Sequence, residues 1–347
     1  MFKPDKILIM RGPGETRAAL LADESLIEIV HVRDADAQPG AVYVGCVGER
    51  VPQSADVFVN IGLAPHGVLE TKGAKFASGQ WVAVEVLTPA RADKGPKLKL
   101  SKNTFGSAEK EPALLKPAPD PVAVWIARYG EANLKIIVAK VTSSGFDEIE
   151  EQIQSALERT VSLPSGGRIT IEPTKALTAI DIDSGSSAAD VANAEAIEAI
   201  SHHMKLRNLA GHILIDLIPT RARRKFVTQL GQATADDPAQ VQIMGLTPSG
   251  MIDVIRRRIR PSLSETLCDQ SMARESVASV AYRALRMACR ELIARRIATI
   301  TLRMAPSVAT LLNQRLAPCL DEARAMASGD IHIEARADFA VDRVEVA

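Results

Sequence analysis

The sequence predicts a mixed α/β (α+β overall) fold with three parts: an N-terminal OB-type β-barrel, a central α/β core with a mixed sheet, and a small C-terminal α/β domain. Three observations lead there. Residues 1–110 hold short β-rich runs punctuated by Gly and Pro, the middle of the chain alternates strand, helix and strand, and the end follows one long amphipathic helix with further strand signals. A chain of 347 residues with 46% hydrophobic and 24% charged content is ordinary globular material, long enough for two or three domains.

The first part carries "DKILIMRGPGETRAALLADESLIEIVHVR", "AVYVGCVGERV", "ADVFVNIGLAPHGVLE", "QWVAVEVLTP" and "PKLKLSK". Strands this short and this closely spaced suit a small closed sheet with an appended hairpin, over residues 1–110. In the last run, alternation sets Leu98 and Leu100 on one face and Lys97, Lys99 and Ser101 on the other, so one face packs while the lysines meet phosphate. Tyr43, Phe58 and Trp81 are candidates for a base-stacking platform. A proline-rich linker, residues 111–125, is expected to resist helix and sheet.

Residues 126–267 form the predicted core. "LKIIVAKVTS" reads as a strand, "FDEIEEQIQSALERTV" as an amphipathic helix, and "LPSGGRITIEP" as a turn and strand. In "ALTAIDID" the period of two sends Leu177, Ala179, Asp181 and Asp183 one way and Thr178, Ile180 and Ile182 the other. A helix follows, with Ser187 and Asp190 in a capping arrangement, an apolar stripe through Val191, Ala194, Ile197, Ile200 and Met204, and Gly211 at its stop. "HILIDLIP" is then a buried strand ending on Asp216. Strands joined this way tend to be neighbours, so Asp181, Asp183 and Asp216 are expected to converge at the strand carboxyl ends. Carboxylates that close need protons or a cation, and hard oxygen ligands without His or Cys favour Mg²⁺.

Charge is informative only locally. The chain balances 42 basic against 42 acidic side chains, yet residues 201–260 hold ten Lys or Arg and four Asp. Two clusters dominate: Arg221, Arg223, Arg224 and Lys225, then Arg256, Arg257, Arg258 and Arg260. Such clusters are either solvated helix faces or patches that serve an anionic partner. The four cysteines, Cys46, Cys268, Cys289 and Cys319, show no CxxC spacing and read as buried hydrophobes. No apolar run approaches the roughly 20 residues that span a bilayer. "MFKPDKILIM" also lacks a signal-peptide pattern, so a cytoplasmic protein without a membrane partner is expected. From Cys268 on, residues 268–347 give "ESVASVAYRALRMACRELIARR" as a helix, with strands in "IATITLRMA" and "GDIHIEAR".

The runs "LPSGGRITIEPTKALTAIDIDSGSS", "NAEAIEAISHHMKLRNLAGHILIDLIP" and "GMIDVIRRRIRPSLSE" resemble the catalytic core of the ribonuclease E/G family, in order and with nearly the expected spacing. "GETRAALLADESLIEIVHVR" and "VFVNIGLAPHGVL" are similar to its opening strands and OB-fold RNA-binding domain. Together these stretches take in about two thirds of the chain. The resemblance implies a Mg²⁺-dependent endoribonuclease that cuts single-stranded, A/U-rich RNA and leaves a 5′-phosphate and a 3′-hydroxyl. It places the metal-holding aspartates on Asp181 and Asp216. The family's asparagine, which orients the scissile phosphate, falls on Asp183, and a carboxylate there must bind metal, be protonated or repel the substrate. Lys97, Lys99, Arg221, Arg223, Arg224, Lys225, Arg256 and Arg258 become the expected RNA contacts. The region preceding the core is shorter than in the family, with no counterpart of the 5′-end-sensing arginine and threonine. The paired zinc-link cysteines are reduced to Cys268, so any homo-oligomer is not zinc-linked. The alternative is an RNA-binding protein of the same family with weak or lost catalysis; a small-molecule phosphatase fits the barrel poorly.

Overall fold

The computed structural model describes residues 3–90, 94–103, 105–106, 111–143, 147–269 and 274–347. It has two compact units, one of Met1–Asp5, Ala19–Ile29 and Gly145–Ser264, the other of Lys6–Ala18, Val30–Ser144 and Glu265–Ala347.

The chain opens with β1 (Lys6–Gly12), β2 (Glu15–Ala22) and β3 (Ser25–Arg33). Their place is not the barrel. They form a four-stranded sheet with a later strand that runs parallel to β1, pairing Lys6 with Lys135.

The barrel is made by β4 (Val42–Arg50), β5 (Val57–Asn60), β6 (Gly67–Leu69), β7 (Trp81–Thr88) and β8 (Lys97–Leu100). It closes because β4 pairs with both β5 and β7, around the ring β4-β5-β6-β8-β7 with β6 and β8 parallel. That order is the OB arrangement expected from the sequence. Val57, Val59, Leu69, Val82, Val84, Val86 and Leu98 fill its interior, each alternating with an outward residue. Tyr43 is buried among them, which removes it from the expected stacking platform, whereas Phe58 and Trp81 stay partly exposed. Leu100 is exposed, so the alternation in "KLKL" buries Leu98 alone.

The expected linker is structured. β9 (Ala113–Lys116) pairs with β4, and α1 (Pro121–Tyr129) starts with Pro121 at its first turn, capped by Asp120 and anchored by the buried Trp125. Proline is tolerated there because the first-turn N–H would lack an intrahelical partner anyway. β10 (Lys135–Ala139) is the strand that joins β1.

The other unit is a helix-covered sheet. Its elements are α2 (Asp147–Leu157), β11 (Thr160–Ser162), β12 (Arg168–Pro173), β13 (Leu177–Asp183), α3 (Ala189–Leu206), β14 (Gly211–Asp216), α4 (Arg223–Ala233), β15 (Val241–Leu246) and β16 (Ile252–Arg256). Phe146, with which the predicted helix opens, lies outside the described residues. The strand order is β11-β12-β13-β14-β16-β15, with β13 and β14 parallel and the other neighbours antiparallel, a mixed sheet as expected. One face is apolar. Ile169, Ile171, Ile180, Ile182, Ile213, Ile215, Ile252 and Val254 meet Ala196, Ile197, Ile200 and Met204 of α3 and Phe226 and Leu230 of α4.

Three details of α3 depart from expectation. Its buried face runs through Ala192, Asn193, Ala196, Ile197, Ile200 and Met204, leaving Val191 exposed. Its amino terminus has no side-chain cap, because Ser187 donates instead to the Ser165 carbonyl at 2.6 Å. It stops at Leu206, and Gly211 opens the next strand with φ of 89°.

The chain ends with α5 (Leu263–Leu267), α6 (Val277–Arg295), β17 (Thr299–Met304), α7 (Pro306–Asn313), α8 (Ala317–Ala327), β18 (Asp330–Ala335) and β19 (Val344–Val346). Here α6, α7 and α8 bury a shared core with the sheet β18-β17-β19, and that core takes in Cys289 and Cys319. All four cysteines are free. No helix of the described residues is long and apolar enough to cross a membrane.

Candidate active site

The sheet's second face carries the polar residues. With helices covering one side, the period of two turns Arg168, Thr170 and Glu172 of β12 and Ala179, Asp181 and Asp183 of β13 outward. His212, Leu214 and Asp216 of β14 and Asp253 of β16 share that side. The parallel register sets Asp181 directly beside Asp216, on strands about 4.8 Å apart. Both are exposed.

Asp183 does not join them. Its Oδ1 accepts from the Gly185 N–H at 2.9 Å and its Oδ2 accepts from Arg168 Nη2 at 2.6 Å. The Gly185 hydrogen bond first, then the Arg168 charge, hold its carboxyl below the usual carboxylate range. It is an ionised turn residue with its own cation. Among the described residues, no three His, Cys, Asp or Glu side chains stand together as a metal cluster. The expected triad therefore reduces to a pair. Mg²⁺ is usually held by one or two carboxylates with water and phosphate completing the shell, so two adjacent hard donors still fit that ion.

The segment after Asp216 is fixed by a buried amide. Asn193, fully buried on α3, donates to the Ile218 carbonyl at 3.0 Å and accepts from the Ile218 N–H at 3.1 Å. Thr220 adds a second tie, donating to Asp190 at 2.6 Å while accepting from the Ala222 N–H at 3.1 Å. Asp190 thus works as an anchor for the loop and not as part of a helix cap. These contacts lead the chain from Asp216 into the basic cluster. Arg221, Arg224 and Lys225 are exposed, and Arg223 lies half-buried against Gly250, where an added Cβ would meet its Nη1 at 2.1 Å.

The second basic cluster divides. Arg256 is 2% exposed and is consumed by the protein: Nε and Nη2 donate to the Asp237 carboxylate at 3.0 and 3.1 Å, and Nη1 donates to Asn208 Oδ1 and the Leu209 carbonyl at 2.8 and 2.7 Å. It is a structural residue, and the expectation that it touches RNA is corrected. The reason is parity, since Ile252, Val254 and Arg256 all face the core. Arg260 pairs with Glu28 at 2.5 Å, while Arg258 is partly exposed. On the barrel, Lys97 is exposed and Lys99 pairs with Glu85 across β7 and β8 at 3.0 Å.

Sequence reasoning missed Arg168, Asn193 and Asp253. Asp253 stands opposite Leu214 with His212 Nδ1 at 3.9 Å from its Oδ1. Alternation along β12 and β16 marks Arg168 and Asp253 as outward, whereas nothing in the α3 sequence separates Asn193 from an ordinary helix polar residue.

Comparison with known proteins matches residues 125–259 to the ribonuclease E/G family. Ribonuclease E of Escherichia coli is 36% identical over 166 residues, covering 45% of this chain and 16% of that protein. Ribonuclease E of Buchnera aphidicola is 38% identical over 145 residues, 39% of this chain and 16% of its own length. Ribonuclease G of Salmonella typhimurium is 37% identical over 134 residues, 35% of this chain and 27% of that enzyme. The chain thus spans between about a sixth and a quarter of the length of these relatives, and the aligned stretches are shorter than the two thirds that the sequence motifs suggested. The region that matches holds the mixed sheet, both in-register aspartates and the basic loop behind them, and it is through this region that the chain is similar to the ribonuclease E/G family.

Proposed function

We propose that this protein is an endoribonuclease of RNA processing or decay, cutting single-stranded, A/U-rich RNA at a Mg²⁺ ion held by Asp181 and Asp216. The observation that carries the reading is the register of β13 and β14, which sets these two carboxylates side by side and exposed on an uncovered sheet face. When bound, the ion supplies Lewis-acid polarisation of the phosphodiester and a more acidic bound water. The protein's own groups do the rest. Asp181 and Asp216 furnish hard oxygen donors, and Asn193 and Thr220 hold the segment beyond Asp216 in one course. Arg221, Arg224 and Lys225 attract the RNA backbone towards it. The outward Phe58 and Trp81 of the barrel, with Lys97 and Lys99, offer stacking and phosphate contacts to a single strand.

Incubating a labelled A/U-rich oligonucleotide with Mg²⁺ tests this. Cleavage by the wild type that vanishes in both Asp181→Ala and Asp216→Ala, with the gel shift retained, is the expected result. A second reading, RNA binding with weak catalysis, draws on Asp183, whose carboxylate is committed to Arg168 and Gly185. A wild-type gel shift without cleavage would establish it in place of the first.

A further inference from the structure

Asp181, Asp183 and Asp216 all lie on the outward face of one sheet, within two residues or one strand of each other. An RNA strand brings another anionic group to this face with every nucleotide. A metal ion held by Asp181 and Asp216 would offset those two, but Asp183 lies outside that pair. Left bare, it would repel the strand that the site has to admit.

The structure supplies the compensation from β12. Arg168 is the register partner of Asp183, and its Nη2 donates to Asp183 Oδ2 at 2.6 Å. The pair is built in advance of any ligand. Gly185 already occupies Oδ1, which presents Oδ2 to the arginine. The backbones also run close together here, since a Cβ on Gly167 would fall 2.6 Å from the Asp183 carbonyl oxygen. Arginine carries five N–H donors in a planar fork. Among the described residues the bond to Asp183 is the one hydrogen bond its guanidinium makes, and its side chain is 59% exposed.

We propose that Arg168 is a phosphate-binding residue of this site: it cancels the charge of Asp183 and turns its remaining N–H groups to the RNA backbone beside the Asp181–Asp216 pair. The assignment rests on the ribonuclease reading above. It gives Asp183 a definite role as the holder of a cationic arm, without a share in metal binding. Guanidinium suits the task because its fork grips a carboxylate and a phosphate oxygen with different N–H groups.

The test is fluorescence anisotropy with a fluorescein-labelled A/U-rich oligonucleotide in EDTA, where cleavage is absent, for wild type, Arg168→Ala, Arg168→Lys, Asp183→Asn and the double variant Arg168→Ala/Asp183→Asn. Arg343→Ala, an exposed arginine in the other unit, is the control. Arg168→Ala should bind about tenfold more weakly and flatten the slope of log affinity against log salt by about 0.7, one single-strand phosphate contact. Removing the bared carboxylate in the double variant should recover the part of that loss due to repulsion while the salt slope stays flattened, because the phosphate contact is still missing; Arg168→Lys should fall between, and Asp183→Asn alone should bind at least as tightly as wild type. This rescue separates a charge role from a merely structural one, and thermal melts verify that each variant is folded. Arg168→Ala binding within twofold of wild type, or no recovery in the double variant, overturns the assignment and leaves the ribonuclease reading standing. A wild type that neither binds nor cuts the oligonucleotide overturns both.

Discussion

Asn193 shows how much a single buried side chain can govern. Its amide replaces a neighbouring strand for Ile218, satisfying both backbone groups of a residue two places beyond Asp216. Asn193→Ala leaves those groups without their partner, at a cost of about 1–3 kcal/mol, and loosens the loop that carries Arg221. Urea melts should record the destabilisation, and cleavage should drop further than stability alone explains at temperatures where the variant stays folded. Arg256 argues the opposite case, since it sits in a basic run yet belongs wholly to the core. Arg256→Ala strands Asp237 as a buried unpaired carboxylate and should cost about 3–5 kcal/mol, with no change in the salt dependence of RNA binding per folded molecule. Its fate was legible in principle: "IDVIR" alternates, and the arginine falls on the apolar parity. The density of arginines around it masked that parity. Asp181 and Asp216 were readable for the same reason that Arg256 should have been, because a period of two fixes the face of every strand residue. The Asp183 to Arg168 pair was not, because it depends on the register between β12 and β13, which no single segment encodes.

At the scale of elements, α4 places charge where the helix itself disfavours it. Arg223, Arg224 and Lys225 occupy its first turn, with no acidic residue and no side-chain cap, although the positive end of a helix dipole favours anions. An arriving phosphate relieves that arrangement. Replacing Arg221, Arg224 and Lys225 together by alanine should therefore weaken RNA binding at low salt, flatten the salt slope by up to about 2, and leave the fold intact or slightly more stable; anisotropy titrations over a salt series and a thermal melt would measure both. Of the larger pieces, the closed barrel, the mixed sheet and the long α6 helix were all visible as patterns of short β runs, alternation and amphipathic spacing. The prolines of residues 111–125 argue against regular structure, yet Pro121 serves as a helix start and β9 pairs with β4. The opening strands β1–β3, expected beside the barrel, gain a parallel partner, β10, that lies more than a hundred residues away. Local sequence fixes strand identity; the choice of partner is made by tertiary contacts.

For the molecule as a whole, the equal count of acidic and basic side chains means that function and stability both rest on local charge. Acid should be felt in each unit by a different group. In the unit with the mixed sheet, burial first and then the Arg207 charge push His203 down to about 3, and its Nδ1 accepts from Arg207 Nε at 3.0 Å. An unfolded histidine protonates near 6.5, so the unfolded chain binds the proton first. The contribution of neutral His203 is thus complete above about pH 6.5 and is lost progressively as pH falls towards 3. Urea melts between pH 7 and 5 should show this decline, and His203→Gln should lessen it. In the other unit the buried carboxylate of Glu15 accepts from Arg33 at 2.8 Å and is paired with Arg286 and His31. These partners overcome its burial and hold its pKa well below the usual range, so its contribution survives to lower pH. The distribution of sulfur has a practical corollary. All four cysteines fall in the unit that contains the barrel, and two of them, Cys289 and Cys319, are sealed in its carboxyl-terminal core with thiols that burial pushes up in pKa, Cys289 to about 11. A coloured thiol reagent should therefore titrate Cys46 in the native protein, Cys268 more slowly because burial and then Asp269 and Glu275 push its thiol up, and gain the remaining two equivalents only when that core opens. The chain carries a built-in gauge that reports the melting of one unit and stays silent on the other.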